Sequence, residues 1–471
     1  MASEGPEKPY LIFQLGTNNW QRQGEFAPGS GILHEAHHNA YNAFGGGTKC
    51  YSIYPSRKQS DPVEGGDEPL DFRIFKLEHD IPICESVSPV SSYRWHTMGE
   101  AEFDAYRARL EETVYTFMNA CEAKEGRPFT FAVAHHTFLN PLALRNVIAR
   151  RVGEGKPRTP LFCFVHGTAL KMYVHELGGQ NPDEFPLRFA PLLRSEKVFD
   201  DVATGVTGCF AISKDQKLKL AEIFPTFPPE RVHVSPNGFN GHIFYPHADA
   251  TVAGTLAKHA GAVQWGGNPA AAGAAYSALV VFVGKFADWK RLDAVLAAAQ
   301  GYEKAAASAN GASCAIATAI IGGGPEKDVL KYHALAGSLG LRHTFFFGPQ
   351  PQPVLAEFFS AGAVGVFPSY SEPFGMVFIE CMACGTPVIG CNSGGPKDFV
   401  DAEVGILVDE PAEKFDFAAL GASVQAAVTS ALSEDWKGTK GPACRKKAVE
   451  NYSVAAQCLD ILQKGVAPLI E

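Results

Sequence analysis

The segment FPSYSEPFGMVFIECMACGTPVIGCNSGGPK (367–397) carries two carboxylates, Glu372 and Glu380, around an expected helix start near Gly375. Pro373 ahead of that helix and Gly385 just past it follow the usual asymmetry of helix ends. The backbone amides of Phe374, Gly375, Met376 and Val377 then open the helix without intrahelical acceptors and with a partial positive charge. Such an end suits a diphosphate. With phosphates there, one carboxylate can accept hydrogen bonds from sugar hydroxyls while the other holds a ribose diol.

A second group lies in VGKFADWKR (283–291), where Lys285 and Lys290 follow an expected strand end at Gly284. Two cations over a leaving diphosphate stabilise the charge that develops as a glycosidic bond breaks. Lys290 and Arg291 can also be read as solvated charges at a helix start, Arg291 more readily than Lys290. In the first half, LFCFVHGT (161–168) runs a buried strand into His166, and FAVAHHTFLNP (131–141) ends another at His135 and His136. Histidines at the carboxyl ends of core strands are placed to line a cleft. The loop GTNNWQRQGEFAPGSG (16–31) carries Trp20 and Arg22 and ends at Gly31, suited to close backbone approach at a helix start. Directly after it, His34-Glu35-Ala36-His37-His38 satisfies the H-E-x-x-H zinc pattern. No third ligand motif follows, so the favoured reading is a helix whose polar face borders a cleft.

These residues need strands to carry them. Short β-branched and aromatic runs alternate with helical stretches, the pattern of βαβ units and parallel sheets. Expected strands are 10–16, 50–54, 129–135, 161–165 and 208–213, then 278–284, 314–321, 343–348, 364–368, 387–390 and 405–408. An Ala/Gly-rich stretch, 248–278, reads as a linker or insertion between the halves. In open α/β sheets ligands bind beyond the carboxyl ends of the strands, where the residues named above fall.

A length of 471 residues indicates two domains. A hydrophobic fraction of 46 % with 19 % charged residues is that of a globular enzyme. The formal charge of −9 and pI near 5.9 give no basis for nucleic-acid or anionic-membrane binding, so an anionic ligand needs a local cluster of donors. No apolar run reaches the length of a signal peptide or membrane span. Eleven cysteines, odd in number and irregularly spaced, read as reduced, buried thiols of a soluble cytoplasmic protein. Cys381 and Cys384 read as part of a packed helix end.

The segment 372–390 resembles the signature of family 4 of the retaining glycosyltransferases, with its E-x7-E spacing from Glu372 to Glu380. The likeness continues through Asn392–Pro396 and back through Gly322–Glu326, Phe347 and Gly348. It is closest over 278–410, weaker over 160–245 and thin before 130. The resemblance implies a GT-B fold: two facing Rossmann-like domains with parallel sheets and an interdomain cleft. The expected division is an acceptor domain at 1–245 joined by a returning C-terminal helix at 452–471, a linker at 246–277, and a nucleotide-sugar domain at 278–451.

The resemblance also implies transfer of a hexose-type sugar from a UDP- or GDP-sugar, with retention, to an unidentified acceptor. Lys285 and Lys290 fill the family's paired basic positions; the first is commonly Arg, whose forked grip Lys lacks. His166 takes the place of the histidine that contacts the donor sugar, with His135 and His136 beside it. Gly31, Phe347, Gly348, Phe374–Val377 and Glu380 fall to the donor, and Trp20, Arg22, His34, His135 and His136 to the acceptor. No cofactor or essential divalent metal is expected, because the lysines and helix amides supply the positive field. The rivals are a zinc hydrolase on His34, Glu35 and His38, and a sugar-nucleotide-binding protein without catalysis.

Overall fold

The computed structural model describes residues 5–20, 29–56, 70–77, 99–137, 139–167, 170, 198–199, 205–269, 276–308 and 315–471. The chain divides into two compact units, Met1–Gly238 with Val454–Glu471, and Phe239–Ser453.

The first unit holds seven strands: β1 (Leu11–Leu15), β2 (Lys49–Ser56), β3 (Phe72–Lys76), β4 (Phe131–His135), β5 (Leu161–Val165), β6 (Gly208–Ala211) and β7 (Val232–Val234). They lie in the order β3-β2-β1-β4-β5-β6-β7, and every pairing is parallel. Strands β1, β4, β5 and β6 are buried along their whole length, as continuous apolar runs in a parallel sheet require. The second unit holds β8 (Tyr276–Val283), β9 (Ala315–Ile321), β10 (Thr344–Phe346), β11 (Val364–Phe367), β12 (Val388–Cys391) and β13 (Gly405–Val408). Their order, β10-β9-β8-β11-β12-β13, is the doubly wound 3-2-1-4-5-6 arrangement.

Two strands escape the sequence reading. The edge strand β3, FRIFK, mixes charge with apolar residues because only Ile74 and Phe75 turn to the core. The strand β7 is three residues long and depends on its pairing with β6. Within 246–269, the stretch expected as linker carries a helix at Val252–Lys258, N-capped by Thr251, and a bridge from Trp265 to Phe346. That part packs within the second unit.

The C-terminal segment returns to the first unit. His37 Nε2 donates to Gln457 Oε1 at 2.8 Å, and the same oxygen accepts from the Gly238 amide at 2.7 Å. No described helix is long and apolar enough to cross a membrane. The nine described cysteines, Cys381 and Cys384 among them, are free and buried.

Candidate active site

In a doubly wound sheet the crevice opens where strand order reverses. In the second unit that point lies between β8 and β11, which are hydrogen-bonded neighbours. Lys285 and Lys290 follow β8, and Glu372 follows β11. The two loops are tied together, since the Tyr370 amide donates to the Trp289 carbonyl at 2.7 Å. Lys290 ends a single 3-10 turn, Asp288–Lys290, and its Nζ donates to Glu372 Oε2 at 2.5 Å. Both side chains are mostly buried, at 18 % and 13 % exposure. Lys285 is partly buried beside them in sequence, and the Gly284 carbonyl ahead of it packs on Gly322.

The helix Met376–Ala383 starts from Gly375, held in the left-handed region at φ 104°, and ends at Gly385, φ 72°. Phe374 is buried on Phe399 and Tyr452, so its side chain anchors the loop and only its backbone is left for a ligand. The loop 371–374 is set by the glycines after β12. The Ser371 amide donates to Ser393 Oγ at 2.8 Å and the Gly395 amide to the Glu372 carbonyl at 2.7 Å. Gly394 has φ 72°, and a Cβ there would stand 2.3 Å from the Glu372 carbonyl oxygen. Gly394→Ala must displace the backbone that carries Glu372. Denaturant unfolding is expected to show a stability loss of about 1–2 kcal/mol from the left-handed strain.

Glu380 lies inside the same helix, and burial pushes its carboxyl up to about 7. No hydrogen bond or ion pair reaches it among the described residues. The likeness over 322–348 is structural in part. Gly322 and Gly348 are joined by an amide–carbonyl bond of 3.0 Å that ties the ends of β9 and β10. Phe347, expected at the donor, is 1 % exposed with its ring 4.7 Å from that of Phe358. Arg291 is not a solvated charge: its side chain is 1 % exposed, with Nη1 2.6 Å from Glu410 Oε2 and Nη2 donating to the Lys414 carbonyl at 2.9 Å.

In the first unit the reversal lies between β1 and β4. Five histidines, His34, His37, His135, His136 and His166, collect at the carboxyl ends of β4 and β5 and on the helix Gly29–Ala43. Burial holds all five below the usual histidine range, His37 at about 4 and His136 at about 3, with mutual repulsion adding to it at His34, His135 and His166. They are therefore neutral at pH 7. His166 keeps 7 % exposure against 1 % for the other four. His136 sits at φ 68°, in the left-handed region.

Trp20 corrects the acceptor reading. It is 3 % exposed, stacked on Tyr54 at 4.3 Å, and its indole Nε1–H donates to His34 Nδ1 at 2.9 Å. Its ring is core. Trp20→Phe leaves a smaller ring in the same pocket and strips His34 of its donor, and denaturant unfolding is expected to show a loss of about 1–3 kcal/mol. Gly31 packs so closely on the chain that a Cβ would stand 2.0 Å from the Asn19 carbonyl oxygen. Arg22 lies outside the described residues. The zinc pattern is taken up by other bonds. His34 Nδ1 accepts from Trp20, while His38 Nδ1 meets Ser52 Oγ at 2.9 Å and its Nε2 meets Asn42 Nδ2 at 3.2 Å. Among the described residues no three His, Cys, Asp or Glu side chains are grouped to hold an ion.

Two doubly wound parallel sheets of these orders define a GT-B glycosyltransferase fold. Sucrose-phosphate synthase from Thermosynechococcus elongatus superposes with a TM-score of 0.64 at 19 % identity, over 96 % of this chain and 98 % of that one. Residues 274–423 match the family described as Glycosyl transferases group 1. The D-inositol 3-phosphate glycosyltransferase of Thermobispora bispora is 34 % identical over 376 residues, 77 % of this chain and 78 % of that protein. The chain belongs to this glycosyltransferase family. The match to the D-inositol 3-phosphate glycosyltransferase of Acidothermus cellulolyticus, 33 % identical over 187 residues, spans only 38 % of either protein.

Proposed function

We propose that this chain transfers a hexose-type sugar from a nucleoside-diphosphate sugar, UDP- or GDP-linked, to a hydroxyl acceptor with retention of configuration. The observation that carries the reading is the junction of Lys290, Glu372 and the opening turn of the helix Met376–Ala383 at the strand reversal of the second unit. In the absence of donor the cation and the carboxylate hold each other. With donor bound, Lys290 turns to the diphosphate, joined by Lys285 and the helix amides, and Glu372 accepts hydrogen bonds from the sugar. Glu380 accepts from the ribose diol, and His166 is assigned a sugar contact.

No side chain is assigned as a covalent nucleophile. The bond from the anomeric carbon to the diphosphate oxygen breaks, and the acceptor oxygen forms its bond on the same face. The departing diphosphate takes the acceptor proton. Catalysis is positioning and charge stabilisation. The lysines and amides supply the positive field without a divalent metal, and restoration of chelator-inhibited turnover by added Mg²⁺ would count against this.

The test is thermal stabilisation by a panel of nucleotide sugars, followed by turnover with D-inositol 3-phosphate as the first acceptor, since that is the acceptor in its relatives' names. Ligand at 100 times its Kd adds roughly 2.7 kcal/mol. Stabilisation without turnover across acceptors would instead mark a binding protein.

Glu380 supplies a pH signature. A diol donates to the ionised carboxylate, so binding favours loss of the proton. UDP-glucose affinity is expected to fall as pH drops below about 7, by up to about tenfold per unit, and Glu380→Gln to flatten the slope. The sign for folding alone is opposite: burial favours the protonated form, so unliganded stability declines as pH rises from the ordinary value of 4.5 to about 7. Calorimetric titration of UDP-glucose between about pH 5.5 and 8 checks the first. A flat affinity profile in the unmutated chain would remove Glu380 from the ribose.

A further inference from the structure

We infer that Gln14 and His135 are positioning residues that decide which ring nitrogen of His166 carries its proton; this builds on the reading of His166 as a sugar contact. The three residues come from adjacent parallel strands. Gln14 lies on β1, His135 ends β4, and His166 follows β5 directly. The pairing of β1 with β4 and of β4 with β5 brings their side chains into one line.

The polarity of that line follows from which atoms can donate. His135 Nε2 lies 3.1 Å from Gln14 Oε1, an oxygen that only accepts, so Nε2 bears the hydrogen. A neutral imidazole has a single N–H, which leaves His135 Nδ1 as a lone pair. That lone pair lies 2.8 Å from His166 Nε2, which must therefore donate. The two rings are 15° from coplanar with centroids 5.1 Å apart, the edge-on arrangement of an N–H to N bond. His166 Nδ1 is left as an acceptor, on the histidine of the cluster that retains the most exposure. A sugar is then recognised through a hydroxyl that gives its hydrogen to His166.

Gln14 is itself held. It is 1 % exposed, and its Nε2 donates to Cys50 Sγ at 3.1 Å. Burial pushes that thiol up to about 12, so the sulfur is a neutral SH. The Cys50 backbone is clamped by Asn42, whose Oδ1 accepts from the Cys50 amide at 3.0 Å and whose Nδ2 donates to its carbonyl at 3.1 Å. Turning the Gln14 amide over would offer His135 a donor, reverse each bond in the line, and put the hydrogen on His166 Nδ1. One buried amide thus sets whether His166 accepts or donates.

The experiment is a nitrogen–proton correlation spectrum of the full chain labelled with ¹⁵N-histidine, the His166 signals identified by their loss in His166→Gln. Expected is a single His166 tautomer protonated at Nε2. Gln14→Leu should give a mixture of tautomers and lower kcat for UDP-glucose hydrolysis about 10–100-fold with KM within about twofold. His166 protonated at Nδ1 in the unmutated chain overturns the proposal, as does an unchanged tautomer in a folded Gln14→Leu. If Gln14→Leu fails to fold, the spectrum of the unmutated chain decides alone. Should the unmutated chain leave UDP-glucose and GDP-mannose untouched, the functional reading falls while the spectrum still judges the positioning.

Discussion

Lys290→Ala is expected to lower turnover of a nucleotide sugar by about 10²–10³-fold, the usual loss when one preorganised donor is removed from developing charge. The argument starts from net charge. At −9 the chain as a whole repels a diphosphate, so the few cations aimed at the strand reversal carry the stabilisation. Lys290 is one of them, and its position is set by the turn Asp288–Lys290, whose last amide bonds back to the Ala287 carbonyl at 2.8 Å. Its partner Glu372 is bonded 2.5 Å away, on a loop that the glycines after β12 fix from the other side. The substitution therefore removes the cation and its bond to Glu372. Lys290→Arg keeps the charge and should recover part of the rate. Steady-state kinetics on the donor that the thermal screen selects is the check. Turnover in Lys290→Ala within about threefold of the unmutated chain would take Lys290 out of the mechanism.

The neighbouring position is expected to respond in the opposite way. Arg291→Ala should destabilise the chain by about 3–5 kcal/mol, the range for removing one partner of a buried ion pair. The guanidinium is 1 % exposed, ion-paired with Glu410, donating to the Lys414 carbonyl, and lies 5.0 Å over the Tyr370 ring. Arg291 also sits at φ 53°, where the chain turns from the 3-10 segment into the helix Leu292–Ser308. Its loss leaves Glu410 unpaired and opens space behind the loop that bears Tyr370. At about 2–4 °C per kcal/mol for a unit of this size, the melting temperature should fall by roughly 6–20 °C. Turnover per folded molecule should change far less than for Lys290→Ala. A melting temperature within about 2 °C of the unmutated chain would show that the pair contributes nothing.

Two adjacent basic residues are thus expected to behave differently. The sequence puts Lys290 with Lys285 over the diphosphate and leaves Arg291 as the more readily solvated charge, so what it misses is the burial of Arg291. What separates them is the backbone turn at Arg291, which sends one side chain to the strand reversal and the other under Tyr370. Trp20 and Phe347 show the same limit. Aromatic residues in loops near a binding motif read as contacts, but burial against Tyr54 and Phe358 makes both of them core. Phe374 is similar: the helix start was legible, and the use of its ring as an anchor on Phe399 was not.

By itself, the order of residues determined what depends on local chemistry. Alternating apolar runs and helical stretches imply parallel sheets, proline and glycine mark the helix from Met376 to Ala383, and the spacing of Glu372, Lys285 and Lys290 places charge after strand ends, with Glu380 inside the helix that follows. These follow from backbone geometry and from neighbours a few residues away. Tertiary structure alone decided what depends on partners far along the chain. The strands β3 and β7 exist through pairing, Arg291 is neutralised by a residue 119 positions later, and the His135–His166 line needs three strands in register. Burial turns a histidine neutral and raises a glutamate, and burial is a property of the packed chain rather than of its sequence neighbourhood.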